Sequence, residues 1–321
     1  MEEQLFVISS APHVNSEETI PKIMYTVVLA LIPAMLCAVI FFGFRAVLLI
    51  ATCVIACVLT EYVFQRTRKK DVTITDGSAI ITGILLALVL PPKLSLLSAV
   101  LGSVVAIALG KQVFGGLGHN IFNPALVGRA FLQATYPVAM TTWVKPFFYV
   151  GSPDAISTAT PLALMKFESQ ATAYWKLLIG YSGGCLGETS ALALLLGGAY
   201  LLYKECIEWR IPAAYLGTVF ILGSVFWLAD SSKYPDPIFQ LFAGGLMLGA
   251  WFMATDMVTS PVTPLGCWIF GIGVGIMVII IRLFGGLPEG VMYSILMMNA
   301  ITPLLNRYTK PKVFGSRKGG E

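Results

Sequence analysis

Charge is what this sequence has least of. Asp, Glu, Lys and Arg together make up 12% of its 321 residues, about half of the ~25% that is usual in soluble domains. Apolar residues make up 57%. A soluble fold of this length needs a larger charged surface, so the composition argues against a soluble enzyme, a nucleic-acid-binding protein and a disordered scaffold. We therefore expect an all-α polytopic membrane protein with no nucleic acid among its partners.

The sequence also lacks the usual patterns for metals and soluble nucleotides. Its two histidines, His13 and His119, come with no set of further ligands, and its six cysteines lie in or beside apolar stretches. No Walker sequence is present. The glycines at 271, 273 and 275 lie within an apolar span, where close helix packing explains them better than dinucleotide binding. We expect neither a metal site nor a soluble nucleotide fold.

Ten apolar stretches are candidates for crossing a membrane, which takes about 20 apolar residues. They lie at about 23–44, 46–65, 75–91, 94–110, 121–140, 184–203, 212–229, 238–254, 264–284 and 288–306. The third, fourth and fifth are short and interrupted by Gly or Pro, so a count between eight and eleven also fits. Ten spans place both chain ends on one side of the membrane.

The basic residues predict which side that is. With both ends inside, 13 of the 21 Lys and Arg residues fall on the inner side, seven fall on the outer side, and Arg129 lies within a span. The densest clusters, at 66–70 and 307–318, are both inner. Because basic residues accumulate in cytoplasmic loops, we expect residues 1–22 and the basic tail 307–321 to be cytoplasmic.

The two halves of the chain share a short repeated pattern. Phe-Gly-Gly-Leu at 114–117 recurs at 284–287, and Pro91 matches Pro261 at the same offset of 170 residues. Each half has five spans, an odd number, so the second copy starts on the opposite side of the membrane and is inverted. The predicted repeats are 23–140 and 176–306, and the outer connection between them is 141–175. Inverted repeats commonly place a binding site near the membrane midplane. Chance is the alternative, since Gly-Gly and Leu are common in membrane chains.

The most polar stretch within an apolar context is 118–129. Asn123 is a good cap for a helix that starts at Pro124, and such a start inside the membrane directs a positive dipole end inward. Asn120 precedes it and Arg129 follows, a charge that must face a cavity or a partner. The stretch predicts either a site for an anion or a carbonyl-rich cofactor, or a re-entrant loop that only completes the fold.

Three carboxylates lie in or beside spans. Asp76, Glu188 and Asp256 are candidates for an ion path, although each alone is also explained as a helix cap. Within the connection, residues 154–161 read Asp-Ala-Ile-Ser-Thr-Ala-Thr-Pro. This hydroxyl-rich stretch either presents Thr160 to a modifying enzyme or forms a polar turn.

Residues 154–160 resemble the signal by which flavin mononucleotide (FMN) is attached through its phosphate to threonine. The signal is that of the family holding the D subunit of the Rnf-type ion-translocating ferredoxin:NAD oxidoreductase and the B subunit of the sodium-pumping NADH:quinone reductase. Stretches 114–131, 187–193 and 254–263 resemble the same family in the expected order, over essentially the whole chain. Thr158, where the B subunit often has Gly, and the short segment before the first span favour the Rnf D type.

The resemblance implies FMN on Thr160, with Asp154 and Ser157 in the recognition signal of a flavin transferase. It also implies a ten-helix inverted repeat like that of urea transporters. Members of the B type hold a non-covalent riboflavin as well. The candidates for that pocket here are Asn120, Asn123, Arg129, Glu188 and Thr189.

By the same resemblance, the chain is an electron-transfer subunit in the inner membrane of a prokaryote. It would belong to a complex that couples ferredoxin:NAD exchange to movement of Na⁺ or H⁺. The chain has no iron–sulfur cysteine pattern, so its partners would include iron–sulfur subunits and a second FMN-bearing subunit. The alternatives are a solute channel or secondary transporter without a redox role, and a structural anchor subunit.

Overall fold

The fold is helical. The computed structural model describes residues 19–151, 157–170, 172–231 and 233–311. The helices, in chain order, are α1 (Ile20–Phe42), α2 (Phe44–Thr67), α3 (Ser78–Leu88), α4 (Leu96–Ile107), α5 (Pro124–Thr135), α6 (Pro137–Thr141), α7 (Phe148–Gly151), α8 (Pro161–Glu168), α9 (Tyr174–Ile179), α10 (Ala191–Tyr203), α11 (Arg210–Ala229), α12 (Pro237–Phe242), α13 (Leu246–Leu248), α14 (Pro264–Phe284) and α15 (Val291–Tyr308).

Shorter elements complete the described chain. The π-helical turns Ala108–Gln112 and Gly249–Met253 extend α4 and α13, and 3-10 turns occupy Ile74–Asp76 and Leu186–Glu188. The strands β1 (Trp143–Val144) and β2 (Ser157–Thr158) pair antiparallel, with Trp143 opposite Thr158.

Within the described residues four helices, α1, α2, α11 and α14, are long and apolar enough to cross a membrane. Three shorter apolar helices are α3, α10 and α4 with its π-helical turn. Every one of the ten predicted stretches contains a helix or a pair of broken helices. These helices confirm the prediction of a helical, polytopic membrane protein.

The broken helices have local causes. The chain leaves α5 at Tyr136, whose φ of −127° and ψ of 56° lie outside the helical region, as expected for a residue that precedes a proline. α12 and α13 are separated at Ala243 and Gly244, and Gly244 has a φ of +71° that an L side chain rarely adopts. The second break lies between the buried residues Ala243 and Leu246, so it places helix ends, with their free N–H and C=O groups, inside the molecule.

Contacts define two ends of the molecule. The termini end holds the start of α1 and the end of α2, which line one cavity together. The connection end holds the turn between α1 and α2, where the Tyr149 hydroxyl donates to the Ile40 carbonyl at 2.7 Å. The end of α14 belongs to it as well, because Lys166 from the connection reaches it.

Helix packing follows the same order in both halves. α2 packs on α3 and α4, and α4 packs on α5. In the second half α11 packs on α12 and α14, and α14 packs on α15. The halves meet where α1 packs along α10, so the core is continuous from the first helix to the last.

Candidate functional site

Thr160 begins helix α8. Its Oγ1 accepts a hydrogen bond of 3.2 Å from the Ala163 N–H, and Pro161 occupies the first helical position. This is a favoured helix start, since the hydroxyl satisfies a free N–H and proline has none to lose. The Thr160 side chain is 7% exposed. Asp154 of the predicted signal lies outside the described residues, and of Ser157 only the backbone, in β2, is described.

Helix α8 is fixed to the second half of the molecule by Lys166. Its Nζ donates to the carbonyls of Arg282 (2.8 Å), Gly285 (2.5 Å) and Leu287 (3.0 Å), at the C-terminal end of α14. A cation there is favoured by the helix dipole. Burial lowers the pKa of the Lys166 ammonium. Through this contact Thr160 is held at the connection end of the molecule.

Thr160 faces a cavity, which we call the connection cavity. Its volume is about 420 Å³, within the range of ~300–1,000 Å³ that is typical of ligand sites. Its polar lining comes from three parts of the chain: Arg129 on α5, Glu188 at the start of the sixth predicted span, and Glu289 before α15. Thr158 lies beside Thr160 in the same wall.

Two polar atoms of this cavity have no hydrogen-bond partner among the described residues. They are the Arg129 Nε and the Thr158 Oγ1, both buried. Arg129 is 8% exposed as a whole. Because buried polar groups are nearly always satisfied, the Arg129 N–H indicates a missing acceptor, either water or a ligand. The Thr158 hydroxyl can donate to the same acceptor. The residues present therefore fit a flavin phosphate, which carries negative charge and several acceptor oxygens.

The cavity carboxylates are held by their own donors. Glu188 Oε2 accepts from the Cys185 N–H at 3.2 Å, and Glu289 accepts from the Gly245 N–H at 3.1 Å and from Arg282 at 3.2 Å. The neighbouring glycine is required, because a Cβ on Gly244 would lie 1.9 Å from Glu289 Oε2. The sequence reasoning did not predict a role for Glu289 or Arg282.

Arg282 braces the break between α12 and α13. Its Nη1 donates to the Gln240 carbonyl at 2.6 Å and its Nη2 to the Ala243 carbonyl at 3.0 Å. With Glu289 bound to the Gly245 N–H, both sides of the break have side-chain partners. The repeated Phe-Gly-Gly-Leu pattern is the signal that could have singled out Arg282, because a single basic residue precedes each copy.

The predicted asparagines line a second, smaller cavity of about 80 Å³ at the termini end. We call it the termini cavity. The Asn123 Oδ1 caps α5 by accepting from the Ala125 N–H at 3.1 Å, and its Nδ2 donates to the Met253 carbonyl at 3.3 Å. Asn120 lines the same cavity, as does Trp251, whose Nε1 has no partner among the described residues.

The structure thus divides the five residues predicted for a riboflavin pocket. Asn120 and Asn123 line the termini cavity, whereas Arg129 and Glu188 line the connection cavity. The Thr189 hydroxyl is used locally, since it donates to the Leu186 carbonyl at 3.0 Å. A single pocket built from all five is not what the fold assembles.

A buried ion pair lies beside the termini cavity. Lys111 Nζ contacts both carboxylate oxygens of Glu61, at 2.7 and 2.8 Å, and donates to Ser78 Oγ at 2.5 Å. Gln65 and Gln112 complete the shell by donating to Glu61 Oε1. The sequence reasoning missed Glu61, although a carboxylate within an apolar helix was a signal for it.

The three carboxylates predicted for an ion path lie at opposite ends. Asp76 joins the Glu61–Lys111 network, because its Oδ1 accepts from Ser78 Oγ at 2.6 Å. Asp256 lines the termini cavity with Lys111 and accepts from Thr259 Oγ1 at 3.1 Å. Glu188 is separate from both, at the connection cavity.

Comparison with known proteins gives one consistent match. The model of the NQR2, RnfD, RnfE family matches residues 7–315. The chain is 48% identical to the D subunit of the proton-translocating ferredoxin:NAD(+) oxidoreductase complex of Clostridium ljungdahlii, over 99% of this chain and 98% of that protein. It is 47% identical to the D subunit of the Na(+)-translocating complex of Acetobacterium woodii over the same shares. It is 34% identical to the D subunit of an ion-translocating oxidoreductase complex of Actinobacillus succinogenes, over 97% and 98%.

Proposed function

The chain belongs to the NQR2, RnfD, RnfE family, and on that premise we propose that it is a membrane electron-transfer subunit with FMN attached to Thr160. It is then one component of an oxidoreductase complex that couples electron exchange between ferredoxin and NAD to ion translocation. The chain does not complete the reaction alone, because the sequence has neither an iron–sulfur cysteine pattern nor a nucleotide fold.

One observation carries the assignment of the flavin. Thr160, the acceptor residue expected from the family signal, lines the connection cavity together with buried polar atoms that lack partners among the described residues. When bound, FMN supplies one- and two-electron chemistry, while the protein sets its position and surroundings. The chain's own part is to hold the attachment point. Thr160 is fixed by its cap on α8, and α8 is fixed by Lys166.

Other parts of the proposal follow from the same membership. We assign no riboflavin to the termini cavity, although Asn120 and Asn123 line it, because its volume of about 80 Å³ is below the ~300–1,000 Å³ that is typical of ligand sites. The matching order of helix contacts in the two halves supports an inverted repeat of the urea-transporter type. We place the chain in a prokaryotic inner membrane with both ends cytoplasmic. Its partners would be iron–sulfur subunits, a second FMN-bearing subunit and, during maturation, a flavin transferase.

The mass of the intact chain tests the flavin directly. The chain, purified from cells that possess the transferase, should exceed its sequence mass by one FMN less one water and should fluoresce in a denaturing gel under ultraviolet light. Thr160→Ala should remove both signals, and Thr158→Ala should retain them, because Thr158 shares the cavity wall but is not the expected acceptor. An unmodified wild-type chain would refute the proposal.

That negative result would favour the second candidate function, a solute transporter or channel. The observation in its favour is the broken helix between α12 and α13, with Glu188 and Glu289 close to the break. Discontinuous helices that meet polar side chains are typical of transporter sites. This alternative gives no reason for a threonine attachment signal beside the cavity.

A further inference from the structure

Arg129 is a buried cation without a matching anion. Among the described residues no carboxylate lies within 4.0 Å of its guanidinium, and its Nε has no hydrogen-bond partner. Glu188 and Glu289 are the carboxylates that line the same cavity as Arg129. An unpaired buried charge is costly, so the arrangement calls for an anionic ligand or ordered water at Arg129.

The nearby carboxylates do not take that place. Glu188 is bound by the Cys185 N–H, and Glu289 is shared between Arg282 and the Gly245 N–H. Both carboxylates thus accept hydrogen bonds from donors other than Arg129. At this wall Arg129 has an N–H and Thr158 a hydroxyl without a partner among the described residues. An anion can accept a hydrogen bond from each.

Thr160, the proposed attachment residue, lies at the N-terminus of a helix, which is a second and independent reason for a phosphate to bind there. A phosphoryl group on Thr160 Oγ1 is placed at the N-terminus of α8, a helix of eight residues. The N–H groups of the first turn and the helix dipole stabilise negative charge there. Thr160 and Arg129 line one cavity, from α8 and α5 respectively.

From these contacts we infer that Arg129 binds the phosphate of the flavin, so that the connection cavity selects a phosphorylated flavin over riboflavin. The inference rests on the proposed function for the identity of the ligand. Arg129 is then a positioning residue, since it holds the phosphate and fixes where the rest of the flavin starts. A guanidinium suits this role because its planar fork matches two phosphate oxygens.

The test uses the full chain with Thr160→Ala, which leaves the cavity without a covalent ligand. Free FMN and free riboflavin are titrated separately, and binding is read from the quenching of flavin fluorescence. FMN should bind roughly tenfold tighter or more, as expected for hydrogen bonds to a charged group. Adding Arg129→Gln should remove that preference by weakening FMN and leaving riboflavin unchanged. Inorganic phosphate should compete with FMN and not with riboflavin.

Two further variants separate binding from folding. Arg129→Lys keeps the charge and should retain part of the preference for FMN. Arg45→Gln removes a cation that donates to the Leu94 carbonyl at the same end of the molecule and does not line the cavity, so it should leave the preference intact. If Arg129→Gln abolishes binding of both flavins, Arg129→Lys decides: a remaining preference for FMN supports the inference, and no preference overturns it.

Equal affinity of the Thr160→Ala chain for FMN and riboflavin would overturn the inference, as would a preference that survives Arg129→Gln. This outcome is distinct from failure of the proposed function. The latter appears as an unmodified mass of the wild-type chain, whereas the ratio of the two affinities is measured on a chain that cannot be modified at residue 160.

Discussion

At the scale of single residues, the pair formed by Glu61 and Lys111 is the most consequential feature outside the connection cavity. The two side chains are 1% and 2% exposed, and every oxygen of Glu61 has a donor. Such a pair contributes little compared with two apolar residues, but breaking it leaves an uncompensated charge in the interior. The pair therefore contributes to stability only when both partners are present.

We predict that Lys111→Met lowers the free energy of unfolding by about 3–5 kcal/mol. The double variant Glu61→Leu/Lys111→Met should recover most of that loss, because it removes the stranded carboxylate along with the cation. Unfolding of the purified chain in mixed micelles, followed by circular dichroism, measures both values. A double variant as unstable as Lys111→Met would contradict the explanation by charge.

The exposed pair of Glu208 and Arg210 is the matched control. Its N–O distance is 2.6 Å, similar to that of the buried pair, but the side chains are 40% and 31% exposed. Surface ion pairs contribute about 0–1 kcal/mol. Arg210→Met should therefore change stability far less than Lys111→Met, and an equal loss would show that burial is not the cause.

At the scale of elements, the contact between α1 and α10 joins the two halves at a glycine. A Cβ on Gly197 would lie 2.2 Å from the Ala30 carbonyl oxygen, so the helices approach as closely as their backbones allow. Small residues at such crossings are typical of membrane helices. The absence of a side chain at Gly197 is a requirement of this packing.

Gly197→Ala should therefore destabilise the chain by about 1–3 kcal/mol, the usual cost of overpacking. Gly217→Ala is the control, because Gly217 lies in α11 with no neighbouring atom within 4 Å of the added Cβ. Alanine is the better helix former, so the control should be neutral or slightly stabilising. The same micelle unfolding experiment compares them, and equal effects would disprove a specific contact at Gly197.

The bounds of uninterrupted apolar helices could be predicted from the sequence. For interrupted helices only the apolar stretch could be predicted, not the position of the break. The predicted span 264–284 coincides with α14, because a capping threonine and a proline mark its start and Gly285 follows its end. The predicted span 121–140 is two helices, since Pro137 interrupts it. The span at 238–254 is broken at Gly244, which has a positive φ and where Glu289, from a distant part of the chain, occupies the space that a Cβ would need.

For the candidate site too, the sequence indicated individual residues but not all of their contacts. The sequence singled out Thr160, Arg129 and Glu188, and the fold brings these three to one cavity. It also grouped Asn120 with Arg129 because they are close in the chain. The rise of α5 separates them into different cavities. Glu289 was missed because its partners, Arg282 and Gly245, belong to elements whose contacts local patterns do not encode.

At the scale of the whole molecule, the two basic residues that precede the repeated pattern lie at opposite ends. Lys111 pairs with Glu61 near the termini end, and Arg282 pairs with Glu289 at the connection end. An inverted repeat predicts this arrangement, since it exchanges the two membrane faces between halves.

The distribution of basic residues predicts the orientation of the molecule. With 13 of 21 on the side of the chain ends, both ends should be cytoplasmic and the connection that carries Thr160 should face outward. Alkaline phosphatase, which is active only outside, should be inactive when fused to the C-terminus and active when inserted after Gln170. A fluorescent protein that matures only in the cytoplasm should give the reverse pattern at the same two positions. Phosphatase activity at the C-terminus would show the inverted topology, with Thr160 on the cytoplasmic side.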